Sequence, residues 1–220
     1  MADRSLNLTF HGIGDPARAL DPGEDQVWIG RDRFLAVLDT LGRRSDVRLT
    51  FDDGNGSDVT EALPELSRRE LRATFFPVAG RLEVPGFLGN DGVLALVDAG
   101  MAIGCHGMCH RAWRQLSDGE LREELVDAKE MLEALLGRPV TEAACPFGSY
   151  DRRVLKALRL AGYTRVYTSD GGTSPSGAWL QARNTVTERS RPDPTAETLA
   201  RAPLHAAIGR QARLAVKRWR

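Results

Sequence analysis

Three short segments of this 220-residue chain gather side chains able to do chemistry. The first is Thr50-Phe51-Asp52-Asp53-Gly54. Two adjacent carboxylates at the end of an apolar strand repel each other, and a cation bound to one of them relieves the repulsion. The other carboxylate then stays free to act as a base, while Gly54 allows a sharp turn after the strand. Taken alone, the segment reads equally well as a solvated Asp-Asp-Gly turn. The second segment is His106-Gly107-Met108-Cys109-His110. Histidines four apart lie on one face of a helical turn, a spacing that can aim both imidazoles at one ion. An ordinary pair of half-buried histidines is the competing reading. Two histidines and one carboxylate make a common open ligand set for zinc or another first-row metal. The third segment runs from Ala144 to Asp151 as Ala-Cys-Pro-Phe-Gly-Ser-Tyr-Asp. Its proline and glycine predict a rigid loop, which is the simpler reading, but its backbone amides can also face an oxyanion.

These segments need elements to position them. Short apolar runs predict strands over Leu6–Phe10, Val47–Phe51, Ala73–Val78, Met101–Cys105, Glu142–Cys145, Arg165–Thr168 and Trp179–Ala182. Helical periodicity lies between them. Arg33–Leu41 places Phe34, Val37, Leu38 and Leu41 on one face. A longer helix starts at Ser117, where Ser-Asp-Gly-Glu is a capping-box pattern; Leu121, Leu125, Ala128, Leu132 and Leu135 form its apolar stripe, and Gly137 and Pro139 stop it. Asp151 to Ala161 is a third, ended by Gly162. A basic amphipathic helix is expected from about Thr195 to the end. Such alternation implies an α/β fold with a mostly parallel sheet or barrel, whose working residues sit at the C-terminal ends of strands. The chemically capable residues fall there: His11 after the first strand, Asp52 and Asp53 after the second, His106 after the fourth, Phe147 after the fifth, Asp170 after the sixth and Arg183 after the seventh.

Lys plus Arg and Asp plus Glu each number 30, so a net charge of zero argues against a nucleic-acid partner. Arg210, Arg213, Lys217, Arg218 and Arg220 make a local basic end, which suggests weak contact with an anionic membrane surface or a solvated helix face. No apolar run is long enough to span a membrane. The opening MADRSLNLTF does not read as a signal peptide. Three cysteines suggest no disulfide framework. A cytoplasmic protein is expected, its oligomeric state unread.

In order, Thr-Phe-Asp-Asp-Gly, Gly-Cys-His-Gly-Met-Cys-His and Cys-Pro-Phe-Gly-Ser-Tyr-Asp resemble the motif series of the polysaccharide deacetylase family, the NodB-homology domain of carbohydrate esterase family 4. Thr74-Phe75-Phe76 looks like that family's next strand. The resemblance runs from about Leu6 to Val186, which suggests a catalytic domain over 1–190 and a basic tail over 191–220. It implies a distorted, incomplete (β/α) barrel. By motif matching, Asp52 corresponds to the general base and Asp53, His106 and His110 to the ligands of a divalent metal, zinc first. Phe147 sits where the family's loop aromatic lends its N–H to the oxyanion. The implied activity is removal of an N-acetyl or O-acetyl group from a carbohydrate, a glycan or a lipid-linked sugar intermediate.

There are departures. The residue after the first histidine is usually Ser or Thr and braces the loop; here it is Gly107. The third motif often begins with an Arg that orients the base; here it is Ala144. The late Leu-x-x-His that supplies the acid is absent. His11 is the candidate acid, with a plain structural histidine as the alternative, while Arg183 is a candidate to replace the missing arginine by pairing with Asp52. His205 falls in the tail. Trp113 and Trp179 are weighed as sugar-stacking platforms against core packing, and Cys105 and Cys109 as extra ligands against buried thiols. A catalytically impaired glycan-binding or regulatory protein, and a hydrolase of a non-sugar amide, are the alternatives for the whole chain.

Overall fold

The computed structural model describes residues 4–42, 44–190, 193 and 217. Eight strands appear among them: β1 (Arg4–Phe10), β2 (Val47–Asp53), β3 (Ala73–Pro77), β4 (Ala102–Ile103), β5 (Glu142–Ala144), β6 (Arg165–Thr168), β7 (Ser174–Pro175) and β8 (Leu180–Thr185). The helices are α1 (Arg31–Leu41), α2 (Leu63–Arg68), α3 (Asn90–Asp98), α4 (Asp118–Arg122), α5 (Ala128–Leu136) and α6 (Arg152–Leu160). Sheet order is β4-β3-β2-β1-β8-β6-β5, all parallel, with β7 an antiparallel addition to β1. The two edges meet where Cys105 pairs with Ala143; Cys105 N–H donates to Glu142 O at 2.9 Å, and Ala144 N–H donates to Cys105 O at 3.0 Å. That narrow seam nearly closes the sheet into the expected (β/α) barrel.

The capping box forms as expected. Ser117 Oγ accepts from Glu120 N–H, and Glu120 Oε2 accepts from Ser117 N–H at 2.8 Å. The helix it starts is interrupted by a π turn over Glu123–Asp127 before α5 continues. Asp151 caps α6 by accepting from Val154 N–H at 2.9 Å.

Period-2 alternation sends the strands' apolar residues outward, toward the helices. Leu6, Leu8, Phe10, Leu49, Phe51 and Phe75 pack with Phe34, Val37, Leu38 and Leu41 of α1, Leu66 of α2 and Leu96 of α3. A second apolar cluster joins α4, α5 and α6 to the β5–β6 side through Leu121, Leu125, Leu132, Val154, Leu158 and Val166. Inward positions are polar and equally buried: Asn7, Thr9, Thr50, Asp52, Gln181 and Arg183. Most of their polar atoms pair with one another, although Asn7 Oδ1 and Arg183 Nε find no partner among the described residues. Thr9 and Thr50 share a hydroxyl bond of 2.9 Å, and Asn7 Nδ2 donates to Gln181 Oε1 at 3.1 Å.

The structure differs from the sequence expectations in several places. The strand expected over Met101–Cys105 is formally two residues long, because beyond Ile103 the backbone bonds alternately to β3 and β5 across the seam. The last strand runs to Thr185, so Arg183 lies within it and points inward instead of following it. The helices α2 and α3 and the strand β7 were not expected. The helix expected from Thr195 onward, and His205 within it, lie outside the described residues. Lys217 alone is described there; its Nζ pairs with Asp170 Oδ1 at 2.9 Å. No helix among the described residues is long and apolar enough to cross a membrane.

Candidate active site

Two carboxylates sit side by side at the end of β2, 2 % and 3 % exposed for Asp52 and Asp53. Asp53 holds φ at 75° and Gly54 at 71°, so the chain turns sharply where the strand ends. A Cβ at Gly54 would press on the Pro77 backbone at 3.0 Å, so glycine is required both for its φ and for its size. The turn separates the fates of the neighbouring carboxyls. Asp52 faces the barrel axis and Asp53 faces the histidine loop.

Arg183 reaches across the barrel from β8 and grips Asp52 with both ends, Nη1 to Oδ1 and Nη2 to Oδ2, each at 2.6 Å. It thereby fills the gap left by Ala144. Burial pushes the Asp52 carboxyl up, but the Arg183 guanidinium, with His106 beside it, outweighs burial and holds it well below the usual carboxylate range. Asp52 is therefore ionised at any working pH. Each of its oxygens has two lone pairs, so accepting from Arg183 leaves capacity for a proton.

Asp53 meets both histidines, and His106 Nε2 also lies 3.7 Å from Asp52 Oδ2. His110 Nε2 lies 3.2 Å and His106 Nε2 3.5 Å from Asp53 Oδ1. One donor atom from each of the three residues falls within 4.8 Å of the others. His106 Nδ1 bonds the Ala144 carbonyl at 2.9 Å, which makes Nδ1 the protonated nitrogen and leaves the Nε2 lone pair facing Asp53. Burial pulls His106 down to about 4, so the ring is neutral, the form that ligates metals, throughout the neutral range. Asp53 Oδ1 is buried and accepts no hydrogen bond. An orphaned carboxylate oxygen facing two imidazole nitrogens fits a divalent cation, and nothing else among the described residues compensates it.

The histidines do not converge as the sequence suggests. Residues 105–110 are not a helical turn: Gly107 has φ 87° and His110 φ 54°. The loop folds back so that the two rings come to 5.1 Å, and the Phe147 ring packs on His110 at 4.6 Å. Phe147 itself holds φ 55°, and the residue is 69 % exposed at the mouth.

His11 lines the same cavity of about 610 Å³ with Asp52, Asp53, His106, His110 and Phe147. That volume lies within the roughly 300–1,000 Å³ of small-molecule sites. His11 Nδ1 is buried without a partner, and the ring contributes to holding Asp52 ionised. One wall, unanticipated from sequence, comes from the loop between β1 and α1. Arg18 anchors it, pairing with Glu24, donating to Asn55 Oδ1 at 2.7 Å and lying 4.1 Å over Phe87. At the rim, Arg81 pairs with Asp21 at 2.7 Å.

Neither tryptophan stacks in the cavity. Trp113 is fully buried, its Nε1–H donating to Glu124, and Trp179 donates to Tyr163 O under the Arg159 guanidinium. Cys105 is buried, but Cys109 is exposed, contrary to expectation, and no cysteine joins the Asp53 cluster. Sequence reasoning also missed Glu124, a fully buried carboxylate behind the histidine loop. Its signal was available: three after Leu121 and four before Ala128, it stands on the apolar stripe of its helix.

Comparison with known proteins identifies the family and the fold. The polysaccharide deacetylase family model matches residues 41–166. A peptidoglycan-N-acetylglucosamine deacetylase of Bacillus cereus is 30 % identical over 124 residues, 56 % of this chain and 56 % of that protein. The Streptococcus pyogenes deacetylase PplD in complex with acetate superposes with a TM-score of 0.78 at 19 % identity, over 90 % of this chain and 99 % of that one. IcaB from Ammonifex degensii gives 0.74 at 24 % identity, over 90 % and 98 %. The fold is thus the nearly closed barrel of NodB-type deacetylases. The chain belongs to the polysaccharide deacetylase family. It spans about half the length of the curated relatives it matches.

Proposed function

We propose that this protein is a metal-dependent carbohydrate deacetylase that hydrolyses an acetyl group from an acetylated sugar. The observation that carries the reading is the pairing, in one cavity, of an orphaned Asp53–His106–His110 cluster with an ionised Asp52 held by Arg183. Asp53, His106 and His110 hold the divalent metal, zinc first. When bound, such a metal polarises the acetyl carbonyl and lowers the pKa of water from 15.7 toward ~7. Asp52 takes the proton from the attacking water, and Arg183 fixes the plane of its carboxylate. The Phe147 N–H faces the developing oxyanion, a donor worth about 3–4 kcal/mol in comparable sites. As the carbon–nitrogen bond breaks, His11 donates its own proton to the departing amine; Asp52 then gives up the proton it took from water to solvent, and His11 regains one from solvent. Acetate and the free amino sugar are the products; for an O-acetyl substrate the sugar hydroxyl leaves instead.

The Arg183–Asp52 pair favours this reading over an impaired glycan-binding protein, since the missing arginine was one of the two departures, with the absent late histidine, that motivated that alternative. The test is elemental analysis of protein purified without chelator, together with acetate release from N-acetylglucosamine oligomers. About one equivalent of metal is expected in the wild type and little in a His106→Ala/His110→Ala variant. Asp52→Asn keeps the metal and loses about 10²–10⁴-fold in turnover. A wild type that binds no added zinc, or an Asp52→Asn variant at full rate, sinks the proposal.

A further inference from the structure

The loop that carries His110 has no regular secondary structure, and His110 itself sits at φ 54°. A non-glycine residue there costs on the order of 1–3 kcal/mol and persists only where its surroundings dictate it. The hydroxyl expected after His106 to brace this loop is absent, because the position is Gly107. What occupies its place is the side chain of Glu124, which leaves the π turn between α4 and α5 and enters the loop.

Glu124 is 0 % exposed and accepts four hydrogen bonds. Oε2 accepts from Met108 N–H at 3.0 Å and from Trp113 Nε1–H at 3.2 Å. Oε1 accepts from Cys109 N–H at 3.0 Å and from Arg111 Nε–H at 3.0 Å. Arg111 also pairs with Glu120 and Glu123, so the guanidinium is fixed from the other side. A β-carbon at Gly107 would collide with Oε2, and the φ of 87° there disfavours any other residue. Glycine at this position and glutamate at 124 are two halves of one arrangement. The carboxylate substitutes for the backbone acceptors a helix would have supplied to the amides of residues 108 and 109. The π turn shifts the helix register locally, a distortion common at functional sites.

We infer that Glu124 is the positioning residue that presets His110 for the metal, in place of the missing hydroxyl. The inference rests on the reading of Asp53, His106 and His110 as ligands. With the loop preset, His110 presents Nε2 toward Asp53 before an ion arrives. Without Glu124, the amides of 108 and 109 and the Arg111 guanidinium lose their common acceptor, and the loop has no reason to hold its left-handed turn at His110.

The test is zinc affinity, measured on the full chain by competition with a chromophoric chelator, alongside thermal unfolding of the metal-free protein. Glu124→Gln preserves shape but turns one acceptor oxygen into a donor facing donors. Its zinc affinity is expected to fall about 10–100-fold, the usual cost of losing a group that orients a ligand. Arg111→Met and Trp113→Phe each remove one of the four bonds and are expected to weaken zinc binding severalfold; they carry the test if Glu124→Gln does not fold. A role confined to holding the fold predicts a lower melting temperature with zinc affinity unchanged. That outcome, in Glu124→Gln or in the Arg111→Met/Trp113→Phe double variant, overturns the inference. A wild type that binds no zinc overturns the metal-site reading instead.

Discussion

Along β2, Leu49 and Phe51 point outward beneath α1, whereas Thr50 and Asp52 point into the barrel. The same alternation runs along β1, with Leu8 and Phe10 outside and Asn7 and Thr9 within. Both faces are buried, but different forces hold them. Outside, Phe10, Phe51 and Phe75 stack at centroid separations of 5.2 and 4.6 Å, an arrangement stabilised by area and contact. Inside, the polar side chains depend on particular partners at particular distances, as Arg183 on Asp52 at 2.6 Å and Thr9 on Thr50 at 2.9 Å. Area-based packing tolerates substitutions of similar volume, whereas a buried charge without its partner does not. Changes outside should therefore alter stability alone, and changes inside should alter stability and chemistry together.

Arg183→Met should show the largest coupled effect. Methionine fills the space but leaves Asp52 buried beside no guanidinium. Breaking a buried ion pair from one side costs about 3–5 kcal/mol. The Asp52 carboxyl, now governed by burial, should rise from its depressed value. A base with a higher pKa is protonated at higher pH, so the acid limb of the pH–rate profile should move upward. A variant with an unmoved acid limb would contradict the role given to Arg183, even if its melting temperature fell.

Phe51→Leu tests the other face of the same strand. Its neighbour in sequence is the proposed base, yet its side chain touches only Phe10, Phe34 and Phe75 among the aromatic rings. A loss of about 1–2 kcal/mol in urea unfolding is expected, with zinc affinity and the pH–rate profile unchanged. If zinc binding weakened tenfold, the two faces would not be separable in the way their chemistry suggests.

The contrast also explains what the sequence makes legible. Asp52 and Asp53 stand directly after an apolar run, and Ser117 to Glu120 encodes its own cap; both signals need only a few neighbouring residues. The outer face follows from periodicity. Inner-face partners do not, because Arg183 and Asp52 lie 131 residues apart. Arg183 was expected just after its strand, and it was matched to Asp52 only because the arginine of the family's third motif is missing at Ala144; the pairing came from the resemblance, not from the local pattern. The histidine loop was misread as helical because its spacing fits a helix. Its real geometry comes from Glu124, 14 residues beyond His110, and from the glycine that makes room for it. Neither α2 nor α3 was expected, and the wall between β1 and α1 was invisible, since its clasp of Arg18 on Glu24 and Asn55 depends on the finished barrel.

The smallest effect is expected at a second buried carboxyl, which sharpens the comparison because it lacks what Asp52 has. Asp58 is 0 % exposed, opens the π turn before α2, and neither of its oxygens finds a hydrogen-bond partner among the described residues. Burial pushes its pKa well above the usual range, and the charges of Asp53 and Asp52 push it further. A carboxyl raised on folding favours the native state at low pH. That contribution is lost as pH climbs from the unfolded value near 3.8 through the raised folded one. Asp58→Asn keeps the shape and removes the titration. In metal-free protein it should raise the melting temperature by a few degrees at pH 8, and by less at pH 5, where the unfolded state gains less from ionising. The check is a pair of thermal unfolding curves at the two pH values. Destabilisation of the same size at both would mean that Asp58 is ionised and serves a partner, and the rule that separates it from Asp52 would then fail.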